Sequence, residues 1–209
     1  MGHYPVVLEL TGWPCVVIGG GSVAERKVEG LLAAGAAVTV IAPRLTRRLQ
    51  ALAAGGRIGH VAREYAPGDL DGYRLAFAAT GDAALNAAVA QEGRRRGVWV
   101  NAADDPAHCD FTLPAVLRRG PLVVAVATGG ASPAVAALVR DELDRRLGPE
   151  YALLGEVAAE VRRELRAAGI RPSPWAWREA LSGGVRSLLA RGRRAEARAR
   201  LRARLGAGA

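Results

Sequence analysis

Val16-Val17-Ile18-Gly19-Gly20-Gly21-Ser22-Val23-Ala24 is the stretch on which the reading of this chain turns. An apolar run ends in three glycines and passes directly into an amphipathic segment, which predicts a strand, a tight turn and a helix start. The spacing Gly19-x-Gly21-x-x-Ala24 is the dinucleotide-binding fingerprint in its alanine-terminated form. In that reading Gly19 makes the turn, Gly21 lets the backbone approach a pyrophosphate, and Ala24 lets the helix pack close to its strand. The free N–H groups and positive dipole end of the helix then favour the diphosphate. A ligand-free βα turn can show the same glycine spacing, so the surroundings matter. Val23, Val28, Leu31 and Leu32 follow at helical spacing and stop at Gly35, and Ala37-Val38-Thr39-Val40-Ile41 reads as a second strand buried on both faces. The unit is a complete βαβ.

The alternation continues. A helix using Leu45, Leu49 and Leu52 stops at Gly55-Gly56, and residues 57–61 form a candidate third strand. Tyr73 to Ala79 reads as the fourth strand, Thr80-Gly81-Asp82 ends it, and Asp82 caps a helix carrying Leu85, Ala88 and Val89 that stops at Gly97. Val98-Trp99-Val100 is a short fifth strand. Strands and helices alternating from residue 15 to about 105 call for an α/β fold, a Rossmann-like parallel sheet with right-handed crossovers. Upstream, Tyr4 to Leu10 is expected to lie extended beside the first strand and close the sheet edge there.

Ligands of such sheets bind beyond the carboxyl ends of the strands, where strand order reverses. Four segments meet that rule: residues 19–23, 42–44, 80–81 and 101–105. The acid that usually ends the second strand and holds the adenine ribose is missing, replaced by Ala42-Pro43-Arg44. Backbone groups could serve the ribose, or Arg44 could accept a 2′-phosphate, so NAD and NADP both stay open on this ground.

After Phe111 the pattern changes. Thr112 to Arg118 and Pro121 to Thr128 read as an antiparallel hairpin across Arg119-Gly120. Gly129-Gly130-Ala131-Ser132-Pro133 follows, with Ser132 at an N-cap and Pro133 at the first helical position. This turn reads equally as a second anion site or as a capped turn without ligand. Beyond Pro149 everything looks helical: a stripe of Tyr151, Leu154, Val157, Ala158, Val161 and Leu165 ends at Gly169, and Ser173-Pro174 starts another helix broken at Gly183-Gly184. The arginine-rich run from Arg186 to Arg204 reads as an amphipathic helix at best, frayed at its end. Expected boundaries are 1–113 for the nucleotide domain, 114–147 for a dimerisation region and 148–209 for a helical C-terminal domain.

The chain has 209 residues, 50% of them hydrophobic, and a formal net charge of +9. It is long enough for one domain and an appendage. No apolar run is long enough to span a bilayer and the N-terminus does not look like a signal peptide, so a cytoplasmic protein is expected. Cys15 and Cys109 lack CxxC spacing and read as free thiols. No metal-binding cluster is legible. The excess of arginine would draw polyanions or carboxylate-rich substrates, or is a solvated surface.

Titratable residues near the predicted crevice are Asp104, Asp105, His108 and Asp110. Asp104, the first carboxylate after the fifth strand, is the positional candidate for the base that accompanies hydride transfer. Supporting the turn before Pro106 is the alternative for Asp104 or Asp105. His108 reads as a loop residue.

Five linked segments, YPVVLEL, VVIGGGSVAERKVEGLLAAGAAVTVIAP, LAFAATGD with Asn86, VNAADDPAHCDFTLPA and VAVATGGASPAVAALVRDEL, resemble the precorrin-2 dehydrogenases, including the N-terminal half of multifunctional siroheme synthases. The resemblance spans residues 4 to about 147. It implies oxidation of precorrin-2 to sirohydrochlorin with NAD as acceptor, in siroheme or cobalamin synthesis, by a homodimer formed through the hairpin-and-helix region. It places the essential aspartate at Asp104, nucleotide contacts at Ser22, Val23, Pro43 and Arg44, and Thr128 near the tetrapyrrole. The fingerprint and the strand-end rule add Gly19, Gly21 and Thr80 to the cofactor site, and the turn of Gly129, Gly130 and Ser132 could hold the carboxylate arms of such a substrate through charge-assisted hydrogen bonds. Some relatives also insert iron, and the sequence leaves that activity open. The rival reading is a regulatory Rossmann module that binds NAD without turnover. A nucleic-acid-binding arm at the arginine-rich end ranks last, because that run holds no aromatic residue.

Overall fold

The structure is a computed structural model that describes residues 3–103, 105–182 and 184–206. The chain divides into two units, residues 1–113 and 114–209. In the first, β1 (Pro14–Ile18), α1 (Ser22–Ala33), β2 (Ala37–Ile41), α2 (Arg47–Ala54), β3 (Gly59–Val61), β4 (Leu75–Ala78), α3 (Ala83–Arg96) and β5 (Trp99–Ala102) alternate as the periodicity requires. All strands are parallel, in the order β3-β2-β1-β4-β5. Because β1 pairs with both β2 and β4, strand order reverses between β1 and β4, and a crevice opens at their carboxyl ends.

Side chains alternate across β1, so Cys15 and Val17 face one layer and Val16 and Ile18 the other, all essentially fully buried. Cys15 and Val17 join Ala24, Val28 and Leu31 of α1 and Leu49 of α2; Val16 and Ile18 join Val89 and Ala90 of α3. Helices thus cover both faces, which is why these strands read as continuous apolar runs. Close approach is enforced by glycine on α3. A Cβ on Gly93 would stand 2.3 Å from Val100 Cγ2 and 2.8 Å from the Val98 carbonyl oxygen.

The N-terminal expectation fails. Residues 3–10 form no strand, β1 is central, and the sheet edges are β3 and β5, so Tyr4 to Leu10 has no edge of β1 to close. Only its end is anchored: Leu10 packs on the core and its carbonyl accepts the Trp13 amide at 2.9 Å, while Tyr4, Val6 and Val7 stay exposed. The third and fourth strands are also shorter than expected, trimmed to the residues that pair with β2 and with β1 and β5.

In the second unit β6 (Ala115–Arg119) and β7 (Leu122–Val126) form an antiparallel hairpin turning at Gly120, which has φ +53°. The first strand starts after Pro114, later than the sequence suggests, because proline brings no amide to a ladder. The helices are α4 (Pro133–Arg146), α5 (Glu150–Ala167), α6 (Pro174–Ser182), α7 (Val185–Ala190) and α8 (Arg194–Gly206). Gly155 of α5 packs on Pro121 at the hairpin turn.

The arginine-rich end is not frayed as expected. Ala197, Leu201 and Leu205 of α8, spaced by four, are fully buried with Val157, Val161 and Leu165 of α5. On the flank of this seam Arg194 reaches Glu156 and Glu160 at 2.6 Å, Arg198 reaches Glu164 at 2.5 Å, and Arg202 reaches Glu164 at 3.3 Å. The run is two helices, broken at residues 191–193, and the second belongs to a core.

Candidate functional site

The glycine turn lies between the ends of β1 and β4, and each of its glycines has a distinct constraint. Gly19 has φ +116°, and a Cβ there would sit 2.4 Å from the Ala79 carbonyl oxygen at the end of β4. Gly20 is the tighter of the two: its Cβ would lie 2.0 Å from the Arg44 carbonyl oxygen. The Gly20 carbonyl also accepts the Thr46 amide at 3.0 Å, so this glycine ties the first turn to the start of α2. Sequence reasoning left Gly20 without a role, because its constraint comes from a segment more than twenty residues away. Gly21 is the reverse case, with nothing within 4 Å of where its Cβ would be.

That open space faces an uncapped helix. Gly21 occupies the N-cap of α1 with extended backbone and offers no side chain to the first-turn amides. The other two helices of this unit are closed by their own residues. Thr46 Oγ1 accepts the Leu49 amide at 3.2 Å, and Asp82 Oδ1 accepts those of Ala84 and Leu85 at 2.8 and 3.1 Å. Ala24 is fully buried against the sheet, as the third small residue of the fingerprint requires.

Around this turn runs a cleft of about 620 Å³, lined by Gly19, Gly20, Gly21, Ala42, Pro43, Arg44, Glu64, Tyr65, Thr80 and Asp82 among others. Of the sequence-predicted cofactor residues, Gly19, Gly21, Pro43, Arg44 and Thr80 come together here, and Ser22 and Val23 are the first two residues of α1 beside it. Thr80 is held by Asn86, which is 4% exposed: its Oδ1 accepts the Thr80 hydroxyl at 2.7 Å and its Nδ2 donates to the Thr80 carbonyl at 3.2 Å. The ends of β2 and β3 are tied by His60, whose ring Nε2 donates to the Ala42 carbonyl at 2.9 Å.

The segment after β5 is stitched back onto the strand. Asp110 Oδ2 accepts the Val100 amide at 2.8 Å and Asn101 Nδ2 donates to the Phe111 carbonyl at 2.9 Å. Asp105 accepts a 2.6 Å bond from His108 Nδ1 across a short 3₁₀ turn, Pro106–His108. Asp105, His108 and Asp110 therefore have structural partners. Asp104 lies outside the described residues. Burial pushes the Cys15 thiol up to about 11, and burial likewise raises Cys109, so neither is a ready nucleophile.

Thr128, Gly129, Gly130 and Ser132 form a turn of their own in the second unit. Thr128 Oγ1 accepts the Ser132 amide at 3.1 Å and donates to the Ser132 carbonyl at 3.0 Å, while Ser132 Oγ caps α4 through the Val135 amide at 3.3 Å. Gly129 and Gly130 take positive φ with open space where a Cβ would stand. Among the described residues no cluster of His, Cys, Asp or Glu is placed to hold a metal ion, and no helix is long and apolar enough to cross a membrane.

A parallel sheet of this order, with a glycine turn and an uncapped helix at its switch point, defines a doubly wound dinucleotide-binding domain. Residues 6–115, more than half of the chain, match the model of the family described as "Putative NAD(P)-binding", and the chain belongs to that family. Residues 119–146 match the model described as "Sirohaem biosynthesis protein central". The chain is 41% identical over 201 residues to the siroheme synthase of Methylococcus capsulatus, covering 94% of this chain and 42% of that protein. It is 40% identical over 210 residues to the siroheme synthase of Nitrosococcus oceani, covering 100% of this chain and 45% of the relative. The chain thus spans less than half the length of these curated relatives. Its fold is shared with a solved structure described as "SirC, precorrin-2 dehydrogenase", at TM-score 0.72 and 24% identity, covering 95% of this chain and 98% of that one.

Proposed function

We propose that this chain is an NAD-dependent dehydrogenase that oxidises precorrin-2 to sirohydrochlorin in tetrapyrrole synthesis. The observation that carries the reading is the uncapped, Cβ-free turn at Gly21, set at the switch point of a chain about 40% identical to siroheme synthases along nearly its whole length.

The residues present fit a dinucleotide. Gly19 and Gly20 exclude side chains from the turn, Gly21 leaves room for a diphosphate, and the amides of Ser22 and Val23 offer it unpartnered donors. Pro43 and Arg44 border the adenosine side, and Thr80, fixed by Asn86, borders the side toward β5. When bound, NAD supplies the hydride acceptor, so one hydride and one proton leave the substrate. Asp104, just past β5, takes that proton as general base. The amides of Gly129 and Gly130, with Thr128 and Ser132 holding the turn, serve the carboxylate arms of the macrocycle through charge-assisted hydrogen bonds.

Residues 114–147 are assigned to dimerisation and 148–209 to a helical domain. A two-stranded sheet is marginal by itself, and exposed Val123, Val135, Leu138 and Val139 give the region an apolar surface that a second copy would cover. The two unpaired cysteines accord with the reducing cytoplasm.

Anaerobic incubation of precorrin-2 with NAD, followed by the absorbance of sirohydrochlorin, tests the activity. Wild type is expected to turn over, and Asp104→Asn to lose about 100-fold or more in rate while binding NAD normally. Full activity of a folded Asp104→Asn protein removes the base assignment. NAD binding without any oxidation by wild type favours a regulatory module. Adding ferrous ion to sirohydrochlorin without NAD reads the chelatase activity separately.

A further inference from the structure

We infer that Glu64, carried by the loop after β3, takes the ribose-binding place that the end of β2 leaves empty, and that it makes the cleft select NAD over NADP. The inference rests on the dinucleotide reading of the cleft and is independent of the identity of the second substrate.

Doubly wound domains that prefer NAD usually present a carboxylate to the adenine ribose hydroxyls from the end of the second strand. Here that strand runs out into Ala42-Pro43-Arg44, with no acid. The neighbouring strand provides one. β3 pairs with β2 so that Ile41 lies beside Val61, and the Ala42 amide donates to the Val61 carbonyl at 3.2 Å. Three residues further on, Glu64 lines the same cleft as Gly21, Pro43 and Arg44. β3 lies on the β2 side of the switch point, the half of the cleft that the adenosine end occupies.

The loop carrying Glu64 is built to hold still. Arg63 grips Asp69 with two parallel bonds of 2.6 Å, and Asp69 also accepts the Ala66 amide at 2.7 Å. On the other side Glu92 of α3, 2% exposed, accepts the Tyr65 hydroxyl and the Gly68 amide, the latter at 3.0 Å. Tyr65 is thereby fixed against the core and Glu64 beside it is left on the surface of the cleft. Among the described residues the Glu64 carboxylate has no hydrogen-bond or ion-pair partner, and neither has the Arg44 guanidinium on the same lining. An acceptor held in place without a protein donor suits a diol. The same negative charge would stand against a third phosphate at the 2′ position, overriding the attraction that Arg44 alone would offer.

The test is calorimetric titration of wild type and Glu64→Gln with NAD and, separately, with NADP, with no tetrapyrrole present. Glu64 is exposed and unpaired, so the variant is expected to melt with wild type. Wild type is expected to bind NAD about tenfold or more tighter than NADP, and Glu64→Gln to reduce that ratio by about tenfold through weaker NAD and tighter NADP binding. Glu64→Lys should invert the preference. A ratio unchanged within twofold in both variants overturns the inference while leaving the dinucleotide site standing. A wild type that prefers NADP overturns it too. Binding of neither nucleotide by wild type removes the dinucleotide reading and this inference together.

Discussion

Two of the glycine-rich turns that lead into helices in this molecule, one in each unit, are finished in opposite ways. Gly19-Gly20-Gly21 ends with a cap position that carries no side chain, so the first turn of α1 stays open. Thr128-Gly129-Gly130-Ala131-Ser132 ends with a serine that closes α4 and a threonine that closes the serine. The first turn is crowded by backbone from elsewhere, which a Cβ would meet at 2.4 Å on Gly19 and 2.0 Å on Gly20, whereas a Cβ on Gly129 or Gly130 would have nothing within 4 Å. Glycine content is therefore a poor guide to a phosphate site. The decisive difference is whether the chain itself satisfies the helix amides that follow.

Substitution should separate the turns widely. Gly20→Ala is expected to cost about 3 kcal/mol or more, since its Cβ meets backbone that cannot step aside, and to abolish NAD binding. Gly129→Ala should cost only about 1 kcal/mol, the strain of a left-handed residue, with NAD affinity unchanged. Urea denaturation and calorimetry read both, and equal losses at the two positions would dissolve the contrast. Gly21→Asp sharpens it further, because it gives α1 the cap that α4 already has. NAD affinity should fall about tenfold or more as the carboxylate meets the diphosphate, while stability holds or rises by a few tenths of a kcal/mol. Removing the existing cap with Ser132→Ala should do the converse, costing about 1 kcal/mol with no change in NAD binding.

The smallest effect concerns the rim of the open turn's cleft. Hydrogen bonding from Arg63 holds the Asp69 carboxyl below its ordinary 3.8, with the Ala66 amide adding to it and burial opposing. A depressed folded-state value stabilises above about pH 4, and the contribution disappears as pH falls through that value. The melting-temperature gap between wild type and Asp69→Asn should be full at pH 6 and close on acidification below pH 4. A gap that stayed constant would mean the Arg63–Asp69 fork does not hold the loop.

The parallel sheet was legible because its signals are local. Each strand is a short apolar run punctuated by glycine or a capping residue, and Asp82, Gly97 and Ser132 act where their spacing places them. What escaped was set by distance along the chain. Tyr4 to Leu10 has a strand's composition but no vacant edge to join, because β4, some sixty residues later, fills that side of β1. Gly20 and Gly93 look like ordinary glycines until Arg44 and Val100 arrive beside them. Glu64 is an unremarkable acid in a loop until β3 pairs with β2 and carries it to the cleft. The cofactor residues Gly19, Gly21, Pro43, Arg44 and Thr80 could be gathered in advance because the strand-end rule is topological, and topology followed from the alternation.

The seam between α5 and α8 changes what a basic composition means for this protein. Three guanidiniums of the last helix lie against three carboxylates of the long one, so much of the arginine at that end is cancelled within a few ångströms of where it is written. The field that this end presents to a passing polyanion is weaker than its run of arginines suggests. Cutting the chain before residue 194 would wet Val157, Val161 and Leu165 and strand an acidic row beside them, so this end works as a fastening rather than an outstretched hand.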